Sequence, residues 1–390
     1  MMSDGDENRS TKEGLAAGMR RLVEQVLPDK WSARLGLVRG LFLKDTGDQW
    51  RRLMLVARHF QAYRTIDRAL FYHRFAANIL LCHSLGIFDA LREGALSVDE
   101  VADRCSIESG ATHQLLRILE SQQLLERRGD DFEMGDFASE FFDPHSLVSM
   151  VPMLDVCETY AQVFPDFVDA AQGGTTPAML DIFDESGRTD ALLEGVNYYL
   201  DQAVRELIAR VDWPPIRHFI VGSMGVSFSA LVMSEFADAR VTYGCLPHLV
   251  ERIPRLRRRY EVPADRVDEM HDHGGDPAGD RWGREAFDLV FLTKKMILDP
   301  AQGLGERFAD KAYEVLNPGG VTVFWETIYD DDEATPVDRA MEGFLDFGVS
   351  PTGPVLTRRR FRRRLEEIGF CDVHVVECLE GATTFVVARK

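Results

Sequence analysis

From about residue 15 to 92, apolar side chains return at helical spacing. Leu37, Val38, Leu41 and Phe42 form one stripe, and Ala69, Leu70, Tyr72, Phe75, Ala76, Ile79, Leu80 and Leu85 form a second. Helices this apolar need a covering partner, and a second copy of the same chain is the natural one, so a homodimer is expected. Next, Leu96-Ser-Val-Asp-Glu sets Ser97 as a helix cap with Glu100 three residues on, the spacing of a capping box. A second helix is predicted from near Gly110 through Leu115, Leu116, Ile118 and Leu119. The run from Leu124 to Met134 then predicts a hairpin turning at Gly129-Asp130. Helix, turn, helix and hairpin together make a winged helix.

The pattern changes near Trp213, where short apolar runs begin to alternate with helical stretches. Strands are predicted at 218–221, 240–243, 287–292, 320–325, 373–376 and 383–388. Strands joined by crossover helices form a doubly wound, parallel α/β sheet. Such sheets bind ligands beyond the carboxyl ends of their strands, which here places the site near residues 222, 245, 276 and 294. The domain reading that follows is a polar tail at 1–14, a helical and winged-helix domain at 15–145, a helical linker and substrate lid at 146–210, and an α/β domain at 211–390.

Charge narrows the functional classes. A net charge of −19 opposes a nucleic-acid partner, and the second winged-helix helix offers only His113, Gln114 and Arg117 as polar readers. The module therefore reads as a dimerisation and lid element. Six cysteines without CxxC spacing read as reduced thiols. Together with the absence of a membrane-length apolar run and of a signal-peptide core, they lead to the expectation of a cytoplasmic protein. His271-Asp272-His273 carries metal-ligand chemistry, but neighbouring side chains on a Gly-flanked loop rarely converge on one ion. It reads as a surface turn, and no metal is expected. The arginine runs 255–259 and 358–364 read as solvated helix faces.

Several landmarks occur in a telling order: the winged helix, Leu246-Pro247 after the second strand, Gly275-Asp276, and Leu316-Asn-Pro-Gly-Gly320. In this order the chain resembles the small-molecule S-adenosylmethionine-dependent O-methyltransferases of plant and bacterial type that carry a winged-helix dimerisation domain. The Phe75–Phe88 segment and the tail from Phe361 to Phe370 are most similar to the bacterial pigment enzymes, the bacteriochlorophyllide C-20 and hydroxyneurosporene methyltransferases. The resemblance covers residues from about 65 to 390. It implies a Rossmann-like class I methyltransferase domain preceded by an α-helical winged-helix dimerisation domain, with S-adenosylmethionine as cofactor.

Carried across residue by residue, the resemblance also marks departures. The first strand and turn read Ile220-Val-Gly-Ser-Met-Gly-Val226, where the family has an acid followed by a glycine run. Gly222 and Ser223 occupy cofactor-binding places, while Ile220 stands where the acid is expected. Cys245, before Leu246-Pro247, replaces the acid that accepts both ribose hydroxyls, and a thiol is a weak acceptor. Asp276 matches the residue reaching the adenine amine, and Lys294 matches a lysine beside the cofactor. Leu298 aligns with the catalytic histidine and cannot take a proton. A chamber for a hydrophobic aromatic or polyene substrate is expected at the domain junction, lined by Met150, Met153, Cys157, Tyr160, Phe164, Met341, Phe344 and Phe347. Three functions remain open on this reading: methyl transfer with an altered cofactor grip, a non-methylating reaction on the same fold such as cyclisation, decarboxylation or oxidation, and an inactive partner subunit.

Overall fold

A computed structural model describes residues 60–146, 148–163, 172, 188–245, 247–272, 282–293, 304–332 and 356–390. The chain divides into two compact units, Met1–Ala77 and Asn78–Lys390.

Helix α1 spans Phe60–Ser84, and a short helix α2 follows at Ile87–Leu91. The sequence pattern ran unbroken through this junction, but Gly86 adopts the left-handed conformation (φ 74°) and turns the chain. Ile66, Leu70, Phe71 and Tyr72 of α1 are all more than half exposed, between 57% and 62%.

Helices α3 (Val98–Cys105) and α4 (Ser109–Ser121), strands β1 (Leu125–Arg128) and β2 (Asp131–Met134), and helix α5 (Asp136–Phe141) complete the winged helix. The capping box forms as the spacing requires: Ser97 Oγ accepts from the Glu100 N–H at 3.3 Å and Glu100 Oε2 accepts from the Ser97 N–H at 2.8 Å. The hairpin register pairs Arg128 with Asp131 around Gly129-Asp130, the expected turn. Val101, Leu116, Leu119 and Phe132 close its core.

Helices α6 (Val151–Val163) and α7 (Thr189–Arg210) lead into the larger sheet. Gly195 lets them approach closely, because a Cβ there would stand 3.1 Å from Met153 Sδ and 3.2 Å from Val156 Cγ2. The α/β part then runs β3 (His218–Gly222), α8 (Val226–Glu235), β4 (Arg240–Cys245), α9 (Pro247–Val250), α10 (Ile253–Arg259), β5 (Val267–Asp272), β6 (Phe287–Thr293), α11 (Leu304–Val315), β7 (Leu316–Trp325), α12 (Arg358–Ile368), β8 (Cys371–Cys378) and β9 (Thr383–Arg389).

Seven strands pair in the order β5-β4-β3-β6-β7-β9-β8. The five from β3 to β7 are parallel, while β9 pairs antiparallel with both β7 and β8. The expected parallel sheet is present in these five strands, and the last strand reverses for a covalent reason. Only the short turn Leu379–Gly381 and Ala382 join β8 to β9, too few residues for a crossover. Strand β5 was not foreseen, because Val267-Asp-Glu-Met-His-Asp272 is polar; as an edge strand it needs no double burial. His271 and Asp272 therefore belong to a strand end and not to a surface turn, and His273 lies outside the described residues.

Alternation splits the strands between two cores. Phe219, Val221, Val241, Tyr243, Leu289 and Phe291 face α7 and α8, where Phe228 stacks on Phe291 with centroids 4.0 Å apart. Ile220, Val290, Leu292, Phe324 and Val386 face the side of α11 and α12, packing with Phe308, Ala312, Phe361 and Leu365.

At the opposite end of the strands from the expected site, Asp288 is a hub. It accepts from the N–H groups of Arg217 (2.8 Å) and His218 (3.1 Å) and from Asn317 Nδ2 (2.8 Å). Partial burial raises its pKa, but these hydrogen bonds win and hold the carboxyl below its ordinary 3.8. Burial pushes the neighbouring His218 imidazole below its ordinary 6.5, outweighing the pull of the Asp268 carboxylate 3.2 Å away. Both shifts have the same sign for linkage. Each contribution is complete above the group's ordinary value and is lost as pH falls through the lower folded value. Thermal stability is therefore expected to decline on acidification below pH 6.5. His218→Gln should flatten the upper part of that decline, and Asp288→Ala should cost about 2 kcal/mol at neutral pH in urea unfolding.

Candidate active site at the strand ends

The carboxyl ends of β3, β4, β5 and β6 are Gly222, Cys245, Asp272 and Thr293. Parallel register sets Gly222 opposite Gly244, and Cys245 opposite Asp272. A narrow cleft opens here, with Ile220, Gly222, Gly244, Trp282, Thr293 and Phe308 among its walls. Trp282 is 4% exposed and Thr293 is 5% exposed, so the walls belong to the packed interior.

The two glycines at the turn do different work. Gly225 is needed by packing, since a Cβ would lie 3.0 Å from the Phe291 ring and 3.2 Å from Val221 Cβ. Gly222 is not needed by the fold: its φ of −77° suits any residue, and a Cβ would meet only Gly244 O at an ordinary 3.7 Å. What its bare backbone provides is space in the cleft.

Ser223–Gly225 forms a single 3₁₀ turn before α8. Met224 packs on the α6–α7 side with Tyr160, Val156, Leu192 and Val196, and Val226 is fully buried in the core under the sheet. The α8 N-terminus is capped from outside: Asn197 of α7, itself fully buried, accepts from the Ser227 N–H at 2.9 Å and donates Nδ2 to Leu193 O at 2.8 Å. This satisfies one of the donors that a helix start leaves open.

Of the cofactor positions anticipated from sequence, Gly222, Ser223 and Cys245 come together at the ends of β3 and β4. Leu246, Asp276, Lys294 and Leu298 lie outside the described residues, as do Phe164, Met341, Phe344 and Phe347. On α6, Met153, Cys157 and Tyr160 share one helical face, with Met150 just before it. The Cys157 side chain reaches the surface, but desolvation by the surrounding protein raises its thiol pKa, so it is a poor thiolate. Sequence reasoning missed Gly244, Trp282, Thr293, Phe308 and Asn197. Only Gly244 carried a readable signal, as a glycine at a strand end next to Cys245.

A second polar cluster lies away from this cleft. His83, Asp155 and Glu158 bring ligand-type atoms within 4.8 Å of one another. They are already engaged: His83 Nε2 is 2.7 Å from Asp155 Oδ1, and Arg188 Nη2 is 3.1 Å from Glu158 Oε1. A guanidinium beside the carboxylates makes this an ion-pair clasp between helices and a poor cation site.

A family model of the O-methyltransferase dimerisation domain matches residues 69–140. The chain is 25% identical over 323 residues to the 3-hydroxy-5-methyl-1-naphthoate 3-O-methyltransferase of Streptomyces sahachiroi, a match covering 78% of this chain and 88% of that protein. Among solved structures, an O-methyltransferase family protein from Burkholderia thailandensis superposes with a TM-score of 0.71 at 15% identity, covering 84% of this chain and 98% of that one. Human N-acetylserotonin methyltransferase in complex with SAM gives 0.68 at 20% identity, covering 85% and 98%. The sheet and the dimerisation domain together define a class I methyltransferase fold of Rossmann-like type. Within that class the chain is similar to the small-molecule O-methyltransferases, through the matched dimerisation domain and the Streptomyces relative. Among the described residues, no helix is long and apolar enough to cross a membrane.

Asn197 fixes the turn that borders the cleft. Asn197→Ala is expected to lower stability by about 1–3 kcal/mol, because it leaves the buried Ser227 N–H without its acceptor. Urea denaturation measures this, and a loss within error would show that the turn does not depend on the cap.

Proposed function

We propose that this chain transfers a methyl group from S-adenosylmethionine to a hydroxyl of a hydrophobic aromatic or polyene small molecule, working as a homodimer. The observation that carries the reading is the cleft at the ends of β3 and β4, where Gly222 faces Gly244 and keeps open a space the fold itself does not require. A relative named for 3-O-methylation of a hydroxynaphthoate, aligned over most of both chains, supports the reaction class.

The described walls of the cleft offer two glycine backbones, the Thr293 hydroxyl, and the rings of Trp282 and Phe308 to a ligand. When bound, the cofactor supplies an electrophilic methyl on a sulfonium. Gly222, Ser223, Cys245, Leu246, Asp276 and Lys294 border it in this reading. Met150, Met153, Cys157 and Tyr160, with Phe164, Met341, Phe344 and Phe347, border the acceptor. Leu298 cannot act as a base, so the chain's contribution is to orient the acceptor and exclude water. That suffices for an acceptor whose hydroxyl is already acidic. The exposed apolar residues Ile66, Leu70, Phe71 and Tyr72 on α1 support assembly with a second copy through the dimerisation domain.

Calorimetry with S-adenosylmethionine and S-adenosylhomocysteine tests the cofactor. Micromolar affinity for either is expected, and no heat at millimolar ligand would overturn methyl transfer. Sedimentation tests assembly: the chain should run as a dimer, and Leu70→Glu with Phe71→Glu should shift it toward monomer. A wild-type monomer would remove the homodimer.

A further inference from the structure

Resting on the methyl-transfer reading of the strand-end site, we infer that His83 is a positioning residue for the turn that borders the cleft. It acts through helix α6, which meets the end of α1 on one side and the turn Ser223–Gly225 on the other. Helical spacing divides α6 into two faces. Asp155, Glu158 and Thr159 fall on one, and Met153, Val156 and Tyr160 on the other. The polar face is gripped at two points. His83 Nε2 lies 2.7 Å from Asp155 Oδ1, and because an ionised carboxylate only accepts, the imidazole donates here. Arg188, just before α7, donates to Glu158 Oε1 at 3.1 Å and to Thr159 Oγ1 at 3.3 Å.

The apolar face carries the effect onward. Val156 and Leu192 of α7 form a small buried core on which both Tyr160 and Met224 pack, and Met224 is the middle residue of the turn. This packing has little slack, since a Cβ on Gly195 of α7 would stand only 3.1 Å from Met153 Sδ and 3.2 Å from Val156 Cγ2. Asn197 and Phe291 hold the turn from α7 and from the sheet, and α6 holds it through Met224. His83 is a firm post for this purpose, because Cys82 beside it and Ile87 beyond the Gly86 turn are both fully buried. Without the His83 contact, Arg188 still ties α6 to α7, but the helix is free to roll about that tie. Rolling lifts Val156 and Tyr160 away from Met224 and loosens the turn.

Hydrogen–deuterium exchange on the purified full-length protein, with calorimetry of S-adenosylhomocysteine, tests this. In His83→Ala the amides of residues 224–227 should exchange about tenfold faster while those of β6 and β7 keep their wild-type rates. S-adenosylhomocysteine should bind this variant about fivefold more weakly. His83→Gln returns an N–H donor near the same point and should restore both readings. Asp155→Ala removes the same contact from the α6 side, with a residue that favours the helix, and carries the same expectations as His83→Ala. Unchanged exchange at the turn in both alanine variants overturns the inference. Acceleration spread equally over β6 and β7 also overturns it, because that marks a general loss of stability. A wild-type protein that binds neither S-adenosylmethionine nor S-adenosylhomocysteine overturns methyl transfer, and the exchange reading then decides the part His83 plays.

Discussion

Parallel pairing of β3 between β4 and β6 is the constraint from which the rest follows. Because its register with β4 is fixed at both ends, from His218 opposite Arg240 to Gly222 opposite Gly244, one residue of slip would exchange its faces. Phe219 and Val221 would then face α11 and Ile220 would face α8, which neither core has room to accept. The pairing also brings two strand-end glycines side by side, so the same register that closes the core opens the cleft. Asp288 clamps the start of this strand to β6 and β7 through three hydrogen bonds. The Asp288 clamp and the candidate site thus lie at opposite ends of one strand.

Charge follows the same division. The chain is strongly acidic, and several of its described carboxylates form clasps between elements. Arg255 and Arg259 of α10 reach Glu194 of α7, both at 2.8 Å, and Arg358 at the start of α12 pairs with Asp330 and Glu377. The arginine runs, read from sequence as solvated helix faces, thus also clasp their helices to neighbouring elements. Exposed pairs of this kind add little each, about 0–1 kcal/mol, and serve orientation more than strength. The described walls of the cleft take no part in this network.

Most of the fold was legible because its signals are local. The capping box at Ser97 and Glu100, the hairpin turn at Gly129-Asp130 and the apolar runs of β3, β4, β6 and β9 each declare an element within a few residues. β5 escaped because an edge strand carries no continuous apolar run, and the reversal of β9 escaped because chain direction is decided by the length of a connection and not by strand composition. The site was legible only in part. Gly222 could be found from a turn, but Trp282 and Phe308 reach the same cleft from segments 60 or more positions along the chain, and only the sheet brings them there. Asn197 was invisible for a similar reason, since a buried asparagine on a helix declares nothing until its acceptor meets a particular N–H.

Ile220 shows why the departure from the family's acid is more than a missing contact. In sequence it reads as a lost carboxylate. In the fold it is a methyl-rich side chain with almost no exposed surface, contributing to the core shared by Val290, Phe308 and Phe324. Putting an acid back would remove that apolar burial, worth about 1.5–3 kcal/mol for a fully buried isoleucine, and would place a charge among neutral groups. Stability therefore opposes the return of the acid even where binding favours it. At this strand end the core tolerates backbone, hydroxyl and ring, and the glycine pair at Gly222 and Gly244 is the means by which the sheet exposes its backbone.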